Sequence, residues 1–449
     1  MLSAADTDLL CRVGSGTPMG ELMRRYWLPV EYSAKLEPDG QPRRVRVLGE
    51  DLLAWRDTGG TPSFVQPRCP HRGAGLFFGR NEEDGLRCAY HGWKFDVGGS
   101  CVDMPNEPAA SNFKNKVKIK AYRGADYGGL TWIYMGEDQA NPPGVPQFEW
   151  GQVPEENIQY THKLVYECNW MQALEGEIDS THVYFLHSRL VPEDSPKYGL
   201  YLEERGADFH ILNTEVGVTY AAERPEKDGS AYWRTTHFLF PIYGMWPGSA
   251  DDGTVPLSIY LPVDDYHTVH FGLWWHPTQP IEGGRHPANL LPDEVGLLGG
   301  GTGPNKPEQK GRFFADSWAV ANPENDFLMN VEAKKTKNFT GIPTVRLQDD
   351  AVIWSMGPIM DRTQEHLGTA DATVIRVRKR LLDAVRALRD HGTIPPGVDE
   401  PELYKVRSIV TILPPGSDWE DALHDWHHAR TDEHPNPGAT QNRAIKERF

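Results

Sequence analysis

Two short arms of sequence decide the fold of this chain: Cys69-Pro-His71-Arg-Gly-Ala-Gly and Cys88-Ala-Tyr-His91-Gly-Trp. Each arm contains one thiol and one imidazole, and sixteen residues separate His71 from Cys88. Thiolates and imidazoles are common ligands of zinc and iron in proteins. Four such donors in two short loops, each within reach of the others, predict one small metal site that joins the loops.

Two kinds of metal group take two cysteines and two histidines. A tetrahedral zinc ion would bind all four side chains. A [2Fe–2S] cluster would have both thiolates on one iron and both imidazoles on the other, which raises its reduction potential. Zinc sites usually pair like ligands within an arm, whereas each arm here is mixed. The spacing therefore favours iron, with structural zinc as the alternative, and Gly73, Gly75 and Gly92 would let backbone amides approach the sulfurs.

The two arms, with the continuation His91-Gly-Trp-Lys-Phe-Asp, resemble the Rieske [2Fe–2S] family. The resemblance implies that Cys69 and Cys88 bind one iron of the cluster, and that His71 and His91 bind the other. The surrounding sequence, from residue 28 to about 136, alternates short apolar runs with Gly, Pro, Asp and Asn turns. That texture is typical of a small antiparallel β domain.

A second set of candidate ligands follows in Asn169-Trp-Met-Gln-Ala-Leu-Glu-Gly-Glu-Ile-Asp179-Ser-Thr-His182-Val-Tyr-Phe-Leu-His187. On the helix predicted from Asn169 to about His187, Asp179 and His182 would share a face. The two histidines are five residues apart and would splay by about 140°. For both to bind one metal, the helix must end, bulge or kink between them.

Two histidines and a carboxylate on one face of an iron form the facial triad of oxygen-activating non-haem Fe(II) enzymes. The pattern D-x-x-H-x-x-x-x-H after a Rieske domain resembles the large (alpha) subunit of Rieske non-haem iron oxygenases. The resemblance implies that His182 and His187 bind a mononuclear Fe(II). It also implies that Asp179 connects His182 to a Rieske histidine by hydrogen bonds and carries electronic coupling.

The third ligand is expected from Arg346-Leu-Gln-Asp349-Asp350. This segment resembles the carboxyl-terminal element of the family, in which an E/Q-D pair opens a helix and the Asp binds iron. We expect Asp349 to be that ligand, and Asp350 is its competitor. The alternative role for Asp349 is that of a helix cap, which Asp performs well.

Two segments resemble the phthalate dioxygenase-type branch of this oxygenase family. They are the opening segment, from Arg12 to Trp27, and the closing segment Ser-Met-Gly-Pro-Ile-Met-Asp-Arg-Thr-Gln-Glu-His-Leu-Gly. With the two metal-binding motifs between them, the likeness covers essentially the whole chain. It implies a homotrimer of head-to-tail subunits that can stack into a hexamer. It implies a reductase partner that carries flavin and a [2Fe–2S] centre. It also implies an O2-dependent reaction on an aromatic, carboxylated substrate: monooxygenation, dioxygenation or O-demethylation. The chain has no dinucleotide fingerprint, which agrees with a separate reductase. A Rieske-type electron-transfer protein without mononuclear iron is the alternative function.

The predicted fold class is α+β: a small all-β Rieske domain and a catalytic domain with a helix-covered antiparallel β-sheet. We expect an N-terminal helical segment over residues 1–26 that packs on the catalytic domain, the Rieske domain over 27–138, and the catalytic mononuclear iron domain over 139–449. Further predictions are strands near 209–222, 232–246, 255–262 and 267–276, a long loop over 280–310, helices near 347–356 and 372–390, and a polar tail from about Asp418.

Composition excludes several classes of protein. The 449 residues include 63 Asp and Glu against 46 Lys and Arg, a net charge of −17. Nucleic acid and anionic lipid would be repelled by such a field. No stretch approaches the roughly 18 apolar residues of a membrane helix, and the start does not resemble a signal peptide. Five cysteines in a chain of this size indicate a reducing, cytoplasmic compartment.

Other side chains are candidates for a substrate pocket or for no special role. Apolar and aromatic residues over 235–246 would suit a planar aromatic substrate, or would simply form sheet core. Four arginines are candidates to bind a carboxylate through paired N–H donors: Arg189, Arg205, Arg224 and Arg234. We assign no metal to the remaining candidate histidines: His267, His270, His424, His427 and His428.

Overall fold

The computed structural model describes residues 1–108, 110–188, 190, 207–226, 229–247, 253–281 and 309–427. In these ranges the α-helices are α1 (Ala4–Cys11), α2 (Pro18–Met23), α3 (Trp170–Glu177), α4 (Val183–Leu186), α5 (Val331–Thr336), α6 (Val345–Ser355), α7 (Ala372–His391) and α8 (Trp419–His427). The strands are β1 (Trp27–Tyr32), β2 (Arg43–Val47), β3 (Glu50–Arg56), β4 (Pro62–Val65), β5 (Arg80–Glu82), β6 (Gly85–Arg87), β7 (Lys94–Phe95), β8 (Cys101–Asp103), β9 (Ala121–Tyr127), β10 (Leu130–Tyr134), β11 (Ile158–Tyr166), β12 (Asp208–Thr214), β13 (Gly217–Pro225), β14 (Ala231–Leu239), β15 (Tyr243–Met245), β16 (Val255–Pro262), β17 (Thr268–Trp275) and β18 (Val410–Leu413).

Helices α1 and α2 are the two short N-terminal helices that the sequence predicts. Ser3 caps α1 by accepting the amide hydrogen of Asp6, and Thr17 caps α2 by accepting that of Gly20. Such caps satisfy backbone donors that a helix leaves unpaired at its start. Both helices contact α7. In addition, the Asn169 side chain donates to the backbone oxygen of Cys11 over 3.0 Å, so the N-terminal segment is fastened close to α3.

The first β region consists of two antiparallel sheets. Six strands pair in the order β1-β10-β9-β4-β3-β2, and four short strands pair in the order β5-β6-β7-β8. The first Cys/His arm follows β4, and the second lies between β6 and β7. A separate hydrophobic cluster packs around the two arms and joins the sheets: Leu53, Trp55, Val65, Leu76, Leu86, Trp93, Phe95, Met104 and Ile119, with Cys69, Cys88 and Cys101.

The second β region is an antiparallel sheet with the order β11-β17-β16-β15-β14-β13-β12, and β18 pairs with β14. All eight residues of β16 are buried, as expected for a central strand covered on both faces. The sheet and its covering helices agree with the predicted α+β class. Within the described residues, no helix combines the length and apolar character needed to cross a membrane.

Two of the regions predicted as strands each contain a pair of strands in the structure. The region 209–222 is a hairpin of β12 and β13, in which Thr214 pairs with Gly217 across a tight turn. The region 232–246 contains β14 and β15, because the chain turns back at Phe240-Pro241 and pairs Leu239 with Tyr243. Proline lacks a backbone donor and ends a strand of this kind.

The single helix predicted from Asn169 to about His187 is also wrong, because α3 ends at Glu177 and α4 begins at Val183. The reason lies in Asp179, whose Oδ1 accepts hydrogen bonds from the backbone N–H and the hydroxyl of Thr181, both at 2.7 Å. Short polar side chains of this kind compete with helical hydrogen bonds for backbone donors.

The C-terminal part contains more structure than predicted. Helices α6 and α7 match the two predicted helices, but the expected polar tail from Asp418 begins with α8. Trp419 and Leu423 of α8 are buried in a small cluster with Trp233 and Leu413. The periodic apolar residues of this short segment are the signal that the interpretation as a tail overlooked. The predicted loop over 280–310 lies almost wholly outside the described residues.

Buried charges join the two large sheets. Glu31 of β1 lies 2.6 Å from Lys163 Nζ of β11 and 2.9 Å from Arg43 Nε of β2. Asp316 lies 2.6 Å from Arg43 Nη2. Burial alone would raise the pKa of Glu31, but Lys163 and Arg43 lower it. Burial outweighs the acids at Lys163 and lowers its pKa to about 8.

Candidate metal centres

The two Cys/His arms fold into matching tight turns. In each arm the cysteine carbonyl accepts an amide hydrogen over 3.0 Å, from Gly73 to Cys69 and from Gly92 to Cys88. Both glycines have positive φ, 75° and 77°, a conformation that other residues adopt only with strain. The glycines of the motif therefore shape the loops that present the four side chains.

The arms bring like donors together. Cys69 and Cys88 are 2% and 3% exposed, and burial, with a further contribution from Cys88, raises the pKa of the Cys69 thiol to about 11. The rings of His71 and His91 lie 4.4 Å apart, and His71 stacks on Trp93. Buried Nδ1 of His91 has no hydrogen-bond partner among the described residues. Paired thiols, paired imidazoles and an orphaned imidazole nitrogen fit a [2Fe–2S] cluster with one iron held by the thiolates and the other by the imidazoles.

The second set of candidate ligands meets at the break between α3 and α4. His182 and His187 are the residues immediately before and after α4, which is a single turn. The break meets the requirement stated for the two histidines, because their rings are only 5.2 Å apart. From α6, Asp349 Oδ1 lies 3.5 Å from His182 Nε2 and 3.1 Å from His187 Nε2.

These three side chains form the one group of His, Cys, Asp or Glu, within the described part of the chain, whose donor atoms all lie within 4.8 Å of one another. Two imidazole nitrogens and one carboxylate oxygen are the donors of a facial triad. The described geometry thus brings together the three residues that the sequence singled out, and the donor set fits a mononuclear ferrous ion.

Asp179 contacts His182 as expected, although through a turn and not along a helix face. Its Oδ2 lies 3.4 Å from His182 Nδ1, and 29% of its side chain is exposed. Burial alone would lower the pKa of His182, but hydrogen bonds to Asp179 and Asp349 raise it to about 10. The two carboxylates therefore favour a positive charge at this position.

Asp349 is supported from behind by charged residues that the sequence reasoning missed. Its Oδ2 lies 3.8 Å from Arg346 Nη1, and the same nitrogen lies 3.2 Å from Glu177 Oε2. Burial would raise the pKa of Asp349, but the neighbouring histidines and Arg346 lower it. Glu177 in turn accepts hydrogen bonds from Ser258, at 2.7 Å, and Tyr260, so the sheet holds the site.

The competing acid, Asp350, is not in the group. It is 1% exposed, and burial raises its pKa to about 7. Another missed residue is Gln348, whose Oε1 lies 2.8 Å from His187 Nδ1. The only signal for Gln348 in the sequence is its position beside Asp349, because its contact with His187 depends on tertiary packing.

The other histidines lie outside the metal group. His267 precedes β17 and lies 2.9 Å from Asp264. His270 is buried, with its Nδ1 3.0 Å from His162 Nε2 and 2.6 Å from the Tyr166 hydroxyl. His427 packs near His237 at the end of α8, with the ring centres 5.2 Å apart, and His424 lies on the same helix. His428 is beyond the described residues.

Two of the four candidate arginines, Arg189 and Arg205, also lie outside the described residues. The other two, Arg224 and Arg234, lie on the face of the sheet that α3 and α4 cover, opposite the face that α8 covers. Phe238 pairs with Gly244, and a Cβ added to Gly244 would point at Glu177 of α3. Side chains alternate between the two faces along a strand, so Arg234 lies on the same face as Phe238. Arg224 shares that face because it pairs with Tyr232. Tyr232 and Val410 form a small cluster against which Val183, the residue after His182, packs.

Comparisons with known proteins agree with this architecture. The family model of the Rieske [2Fe-2S] domain matches residues 26–122, and the model described as LigXa C-terminal domain like matches residues 133–297 and 309–440. The chain is 38% identical over 436 residues to the 3-chlorobenzoate-3,4-dioxygenase oxygenase subunit of Comamonas testosteroni, a match that covers 94% of this chain and 98% of that relative.

Two further likenesses extend over most of the chain. The phthalate 4,5-dioxygenase oxygenase subunit of Pseudomonas putida is 38% identical over 438 residues, 94% of each protein. The structure of Pseudomonas putida CBB5 NdmA with caffeine has the same fold, with a TM-score of 0.58 and 19% identity over 85% of this chain and 96% of that one. The chain belongs to the Rieske non-haem iron oxygenases, as an oxygenase subunit of the branch that includes phthalate 4,5-dioxygenase.

Proposed function

We propose that this oxygenase subunit binds a [2Fe–2S] cluster through Cys69, His71, Cys88 and His91, and one ferrous ion through His182, His187 and Asp349. The observation that carries the proposal is the convergence of two imidazole nitrogens and one carboxylate oxygen in a chain with a Rieske domain. When bound, the cluster supplies single electrons, and the ferrous ion activates O2 beside the substrate.

The protein's own side chains prepare the lone metal site. Asp179 is held by two hydrogen bonds from Thr181, and its Oδ2 lies 3.4 Å from His182 Nδ1. A proton on Nδ1 would leave Nε2 of His182, the atom nearer Asp349, to bind a metal. Arg346 lies beside the second oxygen of Asp349, which leaves Oδ1 turned toward the histidines. Three ligands on one face of a bound ferrous ion would leave its opposite face for O2 and substrate.

Electrons reach this site from a separate reductase that carries flavin and [2Fe–2S]. We propose that subunits form a head-to-tail homotrimer, in which His91 of one copy meets Asp179 of the next. Partial exposure of the Asp179 side chain supports this arrangement, because it leaves room for contact with a neighbouring copy. Cyclic heterologous contacts of this kind close naturally into rings.

The proposed substrate is an aromatic carboxylate. Two relatives of this chain are named for such compounds, 3-chlorobenzoate and phthalate. In this chain, the face of the sheet that α3 and α4 cover carries Arg224 and Arg234, and burial lowers the pKa of Arg224. A desolvated guanidinium binds a carboxylate strongly through paired hydrogen bonds. Hydroxylation is the proposed reaction, and O-demethylation is the second candidate.

Iron counting tests the lone metal site. The purified protein should contain three irons per chain, and His182→Ala should reduce the count to two while the red-brown Rieske absorption remains. His267→Ala, outside the metal group, is the matched control and should leave three. Two irons in the unaltered protein would instead support an electron carrier. Reaction with a surrogate reductase, aromatic acids and labelled O2 then identifies the product class by mass.

A further inference from the structure

We infer that Gln348 is a positioning residue for the lone metal site, holding His187 in the single orientation and tautomer that can bind a metal. The inference rests on the proposed function, because it assigns a role toward the ion held by His182, His187 and Asp349. It concerns a residue outside the proposed set of metal ligands.

The hydrogen bonds of Gln348 define which atom carries each proton. Its Oε1 lies 2.8 Å from His187 Nδ1, and its Nε2 donates to the carbonyl of Ile342 over 3.1 Å. An amide nitrogen only donates and an amide oxygen only accepts. Because the nitrogen is directed at the Ile342 carbonyl, the oxygen faces His187 and must accept a hydrogen from Nδ1.

The proton on Nδ1 leaves the lone pair of neutral His187 on Nε2. That atom is the one that lies 3.1 Å from Asp349 Oδ1. Both partners are buried, with Gln348 4% exposed and the His187 side chain 6% exposed, so water does not compete strongly for the hydrogen bond. Gln348 and Asp349 are neighbours on α6, and one helical turn therefore supplies a ligand and orients another.

The two histidines are held by different chemistry. His182 Nδ1 faces the carboxylate of Asp179, whereas His187 Nδ1 faces a neutral amide. A carboxylate partner makes a metal-bound imidazole more basic than an amide partner does. In the proposed site, His182 is thus the more electron-rich of the two neutral imidazole ligands, and His187 is the less electron-rich one.

A purely structural role is the competing explanation, in which Gln348 matters only because it fastens the segment at Ile342 to α6. Two substitutions separate the explanations. Gln348→Glu keeps an acceptor for His187 Nδ1 but cannot donate to the Ile342 carbonyl. Gln348→Met has similar volume and loses both hydrogen bonds.

The experiment is an anaerobic calorimetric titration of Fe(II) into full-length protein whose cluster is intact and whose lone site has been emptied. Gln348→Met should weaken Fe(II) binding by about 10–100-fold, the usual effect of losing a partner of a metal-bound histidine. Gln348→Glu should recover most of the affinity, although its melting temperature should fall as much as that of Gln348→Met. Gln139→Met is the control, because Gln139 also donates to backbone carbonyls but lies beside β10.

Each outcome decides between the explanations. Equal loss of Fe(II) affinity in the Glu and Met variants, or no loss in either, would overturn the positioning role and leave a structural anchor. Failure of the unaltered protein to bind Fe(II) would overturn the proposed function itself. If Gln348→Met does not fold, the affinity of Gln348→Glu still decides, since a structural anchor predicts loss and a positioning residue predicts retention.

Discussion

His187 Nε2 lies 3.1 Å from Asp349 Oδ1, although His187 directly follows the single-turn helix α4 and Asp349 lies far along the chain on α6. The break between α3 and α4 places His182 against the same oxygen. Because the donors already face one another, a metal ion would find the site assembled, and the cost of ordering the ligands is met during folding.

Asp179→Asn should retain both metal groups but lower the rate of coupled turnover by about 10–100-fold, a typical effect for the partner of a metal-bound histidine. Asparagine preserves the shape of the side chain and an acceptor for His182 Nδ1, but it removes the negative charge. Iron content and the spectrum of the reduced cluster check that the sites are filled, and single-turnover rates measure the loss. Full activity in this variant would remove Asp179 from the electron path.

Mixed trimers test electron transfer between copies. If the proposed ligands are right, Cys69→Ala chains should lack the cluster and Asp349→Ala chains should lack the lone iron, so each variant alone should be inactive. Random mixing should place a working cluster beside a working iron at about one interface in four of a head-to-tail ring, giving about that fraction of normal turnover. The mixture should be inactive if electrons pass only within one chain.

Substrate binding should depend on the arginines of the sheet face that α3 and α4 cover. Arg234→Met should raise KM for an aromatic carboxylate by about 10-fold or more, since a charge-assisted hydrogen bond contributes about 1.5–3 kcal/mol. Its effect on an uncharged aromatic ester should be small. Steady-state kinetics with the acid and ester pair measure the difference, and equal effects on both compounds would contradict a carboxylate contact.

The stability of metal-free protein should fall as the pH rises from about 6.5 to 10. The pKa of His182 is about 10 in the folded chain, against an ordinary value of 6.5. A raised pKa means that folding favours the protonated form, so the stabilisation is complete below 6.5 and is lost as the pH passes 10. Melting temperatures of the metal-free protein and of His182→Ala measure the difference. Fe(II) should abolish it, because a metal-bound imidazole must be neutral.

Lys163→Met should destabilise the fold by about 3–5 kcal/mol, because it leaves Glu31 buried with one charged partner fewer. Chemical denaturation measures the change. Lys379→Met is the control, since Lys379 and Asp383 form an exposed pair of the kind that contributes at most about 1 kcal/mol. A similar small effect for both variants would show that the buried cluster is not a significant source of stability.

The spacing of residues along the sequence predicted those features that depend on residues close together in the chain. The mixed Cys-x-His and Cys-x-x-His spacing identified the Rieske arms, and the five-residue separation of His182 and His187 required the helix to break. The position of the break could not be found from periodicity, because it depends on how Asp179 competes for the backbone amide of Thr181.

Residues joined only by tertiary packing were not predictable. Glu177 contacts Arg346 from another helix and Ser258 from the sheet, and nothing in the spacing of these residues connects them. Likewise, Lys163 and Glu31 belong to strands of different sheets. Resemblance to a family selected Asp349 over Asp350. Chemistry alone could not make this choice, because the two neighbouring residues have identical side chains.

The charge cluster of Glu31, Lys163, Arg43 and Asp316 has a consequence for how electrons enter the enzyme. Swinging the domain that contains β1 away from β11 would separate buried charges from their partners, at a cost of several kcal/mol. The Rieske domain therefore does not move back and forth between the electron donor and the electron acceptor. Its redox group stays at a fixed position, and the reductase must travel to it.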